Sequence, residues 1–68
     1  MFSVYILSME MNSRKIIKRL KADGWEHLRT EGSHHTFGRG SERITVPHPR
    51  KDVSTGVALK IAKDAGWR

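Results

Sequence analysis

The sequence predicts an α+β domain in which a helix is followed by three antiparallel strands and a second helix, with both helices on one face of the sheet. Three observations predict it. Apolar residues recur at helical spacing in two segments, one before and one after a central region. That central region holds three short runs of strand character, separated by the turn signals Glu31-Gly32 and Gly40-Ser41. The third run alternates apolar and polar residues, the pattern of a strand with one buried face.

Residues 14–23 make the first helix. Ser13 is its candidate N-cap, Ile16, Ile17 and Leu20 form its apolar stripe, and Gly24 supplies the stop. Arg14, Lys15, Lys18, Arg19 and Lys21 fill the remaining positions, so the outer face of this helix is strongly basic. Residues 25–30 (WEHLRT) and 34–39 (HHTFGR) are the first and second strands. Residues 42–46 (ERITV) are the third, with Ile44 and Val46 on one face and Arg43 and Thr45 on the other, until Pro47 ends it. Residues 47–52 (PHPRKD) read as a loop, because two prolines so close leave little room for regular structure. Ser54 or Thr55 caps the last helix, which runs to residue 65 on a stripe of Ala58, Leu59, Ala62 and Ala65 and stops at Gly66.

Residues 1–11 stand apart as an N-terminal extension to a single domain over residues 12–68. The first ten contain Phe2, Val4, Tyr5, Ile6 and Leu7 but no Lys or Arg. This run is too short to span a membrane and lacks the features of a secretory signal. It reads as a loose arm, or as the product of translation starting upstream of Met11, with an apolar arm docking onto a partner as the alternative. The default location is the cytoplasm.

Composition narrows the chemistry. A chain of 68 residues buries only about 60% of its unfolded surface, so reactions belong on a surface or in a shallow groove. Thirteen Lys and Arg against seven Asp and Glu give a net charge of +6, which predisposes the domain to polyanions, whether nucleic acid or an acidic protein. The absence of cysteine removes disulfides, thiolate nucleophiles and Cys-based zinc sites together.

The stretch Gly32-Ser33-His34-His35-Thr36-Phe37 is the most chemical in the chain. Strand alternation puts His35 on the face of Phe37, toward the helices or the core margin, and His34 with Thr36 on the open face. Two histidines pointing opposite ways do not grip one ion. A metal site would have to recruit His48 or a carboxylate, and no His-x-x-x-His spacing supports one, so neither metal nor cofactor is expected. A polyanion that carries its own nucleophile is RNA, through the 2′-hydroxyl. Its cleavage needs a base for that proton and cations for the charge that builds at phosphorus. His34 is the candidate base, with Arg29, Arg39, Arg43, Lys51 or the first-helix residues Arg14, Lys15 and Lys18 as cations. Ser33 and the backbone at Gly32 would add hydrogen bonds to a phosphate. Residue chemistry alone favours the plainer reading of His34 as an ordinary polar residue on a sheet. His48, between its prolines, would be a second proton-transfer group, an RNA contact, or part of a turn. Trp25 and Trp67 would stack on bases or, as the glycine before each favours, pack back on the core.

From Asn12 to Trp67 the chain resembles the HicA family of toxins, the mRNA interferases of bacterial toxin–antitoxin pairs. The resemblance lies in Ser13-Arg14-Lys15-Ile16-Ile17, Asp23-Gly24-Trp25, Gly32-Ser33-His34-His35-Thr36-Phe37 and Thr45-Val46-Pro47-His48-Pro49. Lys51-Asp52 and Ile61-Ala62-Lys63-Asp64-Ala65-Gly66 carry it further. Residues 1–11 precede the family's usual start, and residues 55–59 match only loosely. The resemblance implies a fold like a double-stranded-RNA-binding domain, ribosome-independent or translation-linked cleavage of mRNA, growth arrest, and neutralisation by a HicB-type antitoxin. It also implies that the histidine after Gly-Ser, His34, carries catalysis. Residue chemistry keeps two other readings open: a non-catalytic double-stranded-RNA-binding module, and an interaction protein whose basic face serves an acidic partner. The oligomeric state of the free chain is open.

Overall fold

A computed structural model describes residues 11–67. Two helices, α1 (Ser13–Ala22) and α2 (Thr55–Asp64), flank three strands, β1 (Glu26–Glu31), β2 (His34–Arg39) and β3 (Glu42–Pro47). The strands pair antiparallel in the order β1-β2-β3, the α-β-β-β-α arrangement expected from the sequence. Phe37, Ile44 and Val46 from one face of the sheet join Ile16 and Leu20 of α1 and Ala58 and Ile61 of α2 in a single core, together with Trp25, Val53 and Ala65. Both helices therefore lie on that face, and the other is open. The extension expected over residues 1–11 lies outside the described residues except for Met11, which packs at the core margin while its carbonyl accepts the Val53 N–H (2.8 Å).

Both helices stop on the same device. In α1 the Gly24 N–H donates to the Lys21 carbonyl and the Trp25 N–H to that of Leu20; in α2 Gly66 donates to Lys63 and Trp67 to Ala62. These are Schellman motifs. They need a left-handed residue, and Gly24 (φ 92°) and Gly66 (φ 80°) supply it at no steric cost. The residue after each glycine is then turned back along its helix, which draws Trp25 into the core and seats Trp67 against it. Trp67 Nε1 also donates to Asp23 Oδ2 (2.7 Å), fastening the end of α2 to the end of α1.

Several element boundaries and one packing stripe differ from the sequence reading. The N-cap of α1 is Asn12, whose extended backbone and Oδ1 acceptor serve the Arg14 N–H; Ser13 begins the helix and is buried. β1 starts at Glu26 because the Trp25 N–H is spent on the α1 stop. β3 includes Pro47, which pairs with His34 in a position where no N–H is asked for. The buried stripe of α2 is Ala58, Ile61, Ala62 and Ala65, with Leu59 half-buried. Positions i, i+3, i+4 and i+7 share a helix face, and residue 59 is turned about 100° from residue 58.

The two hairpins share one turn. Gly32-Ser33 and Gly40-Ser41 each join strands across two residues; the glycines have φ 59° and 61°, and no other residue type takes positive φ among those described. Positive φ at the first turn position alone is the type II′ pattern, which matches strand twist and asks for glycine there. Glu31 and His34 are thereby set opposite one another at the close of the first hairpin.

Candidate functional site

Pairing across the sheet fixes which side chains share a face. His34 lies opposite Glu31 on β1 and Pro47 on β3, and Thr36 lies opposite Arg29 and Thr45. These residues make up the open face around His34. Its imidazole is exposed, and Arg29 and Thr45 are its diagonal neighbours, at about 7–8 Å in this geometry. The hydroxyls of Thr36 and Thr45 meet across the strands at 3.4 Å. Arg29 Nε lies 3.6 Å from Glu31 Oε1, both largely exposed, an ion pair that water screens and a phosphate can displace. Further along, Leu28 bulges out of β1 at the register shift between His27 and Arg29. Its side chain and that of Arg43 close over Gly38, where a Cβ would fall 2.6 Å from Leu28 Cδ1.

The other three histidines form a row on the helix side. The rings of His27 and His35 are 5.3 Å apart and those of His35 and His48 are 5.0 Å apart. Thr30 Oγ1 bridges His27 Nε2 (2.8 Å) and His35 Nδ1 (3.3 Å). The row ends on Ser13, whose Oγ lies 2.7 Å from His48 Nδ1 and accepts the Arg50 N–H at 2.8 Å. Burial first, and then the neighbouring His48 and His27, hold the pKa of His35 below the ordinary value of 6.5, since each disfavours a charged ring. So the two adjacent histidines divide as alternation requires, and His48 is presented on the opposite face from His34. Among the described residues no group of three or more His, Asp or Glu side chains is arranged to hold a metal ion.

Beside His34 an open groove of about 550 Å³ runs around the edge of β3 toward α2. His34 and Pro47 line it together with Arg43 and Thr45 of β3, Arg50 of the loop that follows β3 and Lys60 of α2. Of the cations singled out in the sequence, Arg29 and Arg43 share the open face with His34. Gly32 and Ser33 form the turn that presents it, and the Ser33 carbonyl is pinned by the His48 N–H (2.8 Å). Arg39 is on the helix side, its guanidinium over the Trp25 ring (4.5 Å) and donating to the Asp23 carbonyl. Arg14, Lys15 and Lys18 are exposed on α1, which the sheet separates from His34. Lys51 is exposed in the loop after β3. Arg50 and Lys60 carried no sequence signal: one follows a proline whose direction cannot be read, the other sits on a solvent-facing helix position. The role of Ser13 has no local signal, because it depends on a residue 35 positions away.

A search of curated proteins finds no significant match to the chain. A protein-family model described as the HicA toxin of bacterial toxin–antitoxin systems matches residues 13–67. That span runs from the first residue of α1 to the tryptophan that closes α2 and takes in the His34 turn, so the chain belongs to the HicA toxin family.

Proposed function

We propose that this toxin is a metal-independent endoribonuclease that cleaves mRNA in the cytoplasm, arrests growth and is neutralised by a HicB-type antitoxin. The observation that carries the reading is His34, exposed on the open sheet face beside a groove lined by Arg43, Arg50 and Lys60. The neutral imidazole accepts the proton of the 2′-hydroxyl as that oxygen attacks the adjacent phosphorus. The O2′–P bond forms, the P–O5′ bond breaks, and the departing 5′-oxygen takes a proton from the imidazolium or from water. The products are a 2′,3′-cyclic phosphate upstream and a 5′-hydroxyl downstream. Arg29 and Arg43, which share the open face with His34, offset charge gathering on the phosphoryl oxygens, and the Gly32-Ser33 turn offers hydrogen bonds to the same group.

The test is incubation of the protein and its His34→Ala variant with a defined RNA, with and without EDTA, followed by end-group analysis. Loss of a general acid–base group lowers the rate by about 10²–10⁴-fold. Undiminished cleavage by the variant, or loss of wild-type cleavage in EDTA, removes the mechanism. The second reading, a non-catalytic double-stranded-RNA binder, draws on the exposed cations of α1. It requires duplex binding with no cleavage and no role for His34.

A further inference from the structure

We infer that the groove between β3 and α2 holds a single-stranded RNA segment flanking the scissile bond, with Arg50 and Lys60 gripping its phosphates. The inference rests on the endoribonuclease reading and names where the substrate lies and in what form.

The groove has the composition such a strand needs. Half-buried Val57, packed over the core residues Val53 and Ile61, gives the groove an apolar surface against which the face of a base can rest, while Arg43, Arg50 and Lys60 offer cations to the backbone. Its volume, about 550 Å³, falls within the roughly 300–1,000 Å³ of sites that hold one small molecule. An unpaired nucleotide fits such a space, whereas a duplex keeps its bases stacked inside and offers no single base to the groove. The one acid in the lining, Asp64, is held by Lys60 at 2.9 Å. That pair is exposed and contributes little, so a phosphate can share the ammonium. The Arg50 side chain has no partner among the described residues, although its backbone is anchored at both ends: its N–H donates to Ser13 Oγ and its carbonyl accepts the Ser13 N–H. It is a fixed base carrying a guanidinium that no described residue occupies, which is the geometry of an anion grip.

The strand edge tells RNA from a protein partner. The bond from His48 N–H to the Ser33 carbonyl sets the alternation of the β2–β3 ladder. Glu42, Ile44 and Val46 then face β2, and Arg43, Thr45 and Pro47 turn their backbone groups into the groove. A protein strand added there finds only two N–H donors before Pro47 and a flanking arginine, the features that blunt an edge against pairing. For a phosphate the same two N–H groups are donors. The chemistry also asks for a single strand. The 2′-oxygen must come into line with the P–O5′ bond, which an A-form duplex prevents and an unpaired strand allows.

The experiment uses full-length protein carrying His34→Ala, so that RNA stays intact, and measures anisotropy of a labelled single-stranded oligonucleotide and of the duplex of the same sequence. Arg50→Glu with Lys60→Glu is expected to weaken single-strand binding at least about tenfold and to lower the slope of log affinity against log salt by about 1.4. Duplex binding should change far less. Val57→Trp, which fills the groove without altering charge, should weaken the single strand alone. In protein that retains His34, the same changes should raise KM with kcat held. Unchanged single-strand affinity in all these variants overturns the inference. So does selective loss of binding to a HicB-type antitoxin with RNA binding intact, which would make the groove a protein-docking site. A wild-type protein that cleaves nothing, with variants that still lose the single strand, removes the catalytic reading and keeps the groove.

Discussion

His34 and His35 are neighbours in the chain and belong to different environments, and their chemistry divides accordingly. His34 is exposed beside the groove, whereas His35 is half-buried between His27 and His48 with Thr30 at its Nδ1. The native fold keeps the pKa of His35 below 6.5, so the unfolded chain takes up that proton first as pH falls. Stability from the neutral ring is whole above about pH 7 and is lost as pH drops from 6.5 toward the lower native value. A His35→Phe variant is expected to flatten the dependence of Tm on pH between about 7 and 5. Equal slopes in the two proteins would exclude His35 as the source. The split between the two histidines was legible in the sequence because alternation on a strand needs only one core residue, Phe37, to set the phase. The row joining His35 to His27 and His48 was not, since it depends on which residues face each other across strands and on how the 47–52 loop folds back to Ser13.

The two hairpin turns are chemically alike and differ in what they present. Gly32 and Gly40 hold φ near 60°, where a Cβ costs about 1–3 kcal/mol, and nothing lies within 4 Å of a Cβ built at either. Gly32→Ala and Gly40→Ala should therefore destabilise by similar amounts through the backbone alone. Only the first should also reduce RNA cleavage, because only that turn sets His34 opposite Glu31 and Pro47. Matched Tm losses with unequal kcat would bear this out; equal kcat losses would show that stability, and not presentation, governs activity. The turns, the Gly24 and Gly66 stops and the strand order were readable from local residue types. The ends of α1, β1 and β3 were misplaced by a residue each, because a cap, a Schellman bond and a non-hydrogen-bonded proline position depend on backbone groups that the sequence pattern does not show.

At the scale of the molecule the sheet is a partition. The exposed cations Arg14, Lys15, Lys18, Arg19 and Lys21 belong to α1 on one side, and His34 with its groove lies on the open face and around the β3 edge. The net charge of +6 predisposes the domain to polyanions without saying that its cations occupy two surfaces. Reversing Lys15 and Lys18 together to Glu is expected to leave cleavage of a short single-stranded oligonucleotide within about twofold while weakening duplex binding and its salt dependence. Abolished cleavage of the short strand would show that α1 reaches the reacting phosphate after all. The partition has a practical corollary for orientation on a solid support. Coupled to a bead through Lys18, the molecule would stand with its reactive side toward the solution, and immobilised toxin should still cut RNA that flows past it; coupled through Lys60, it should not.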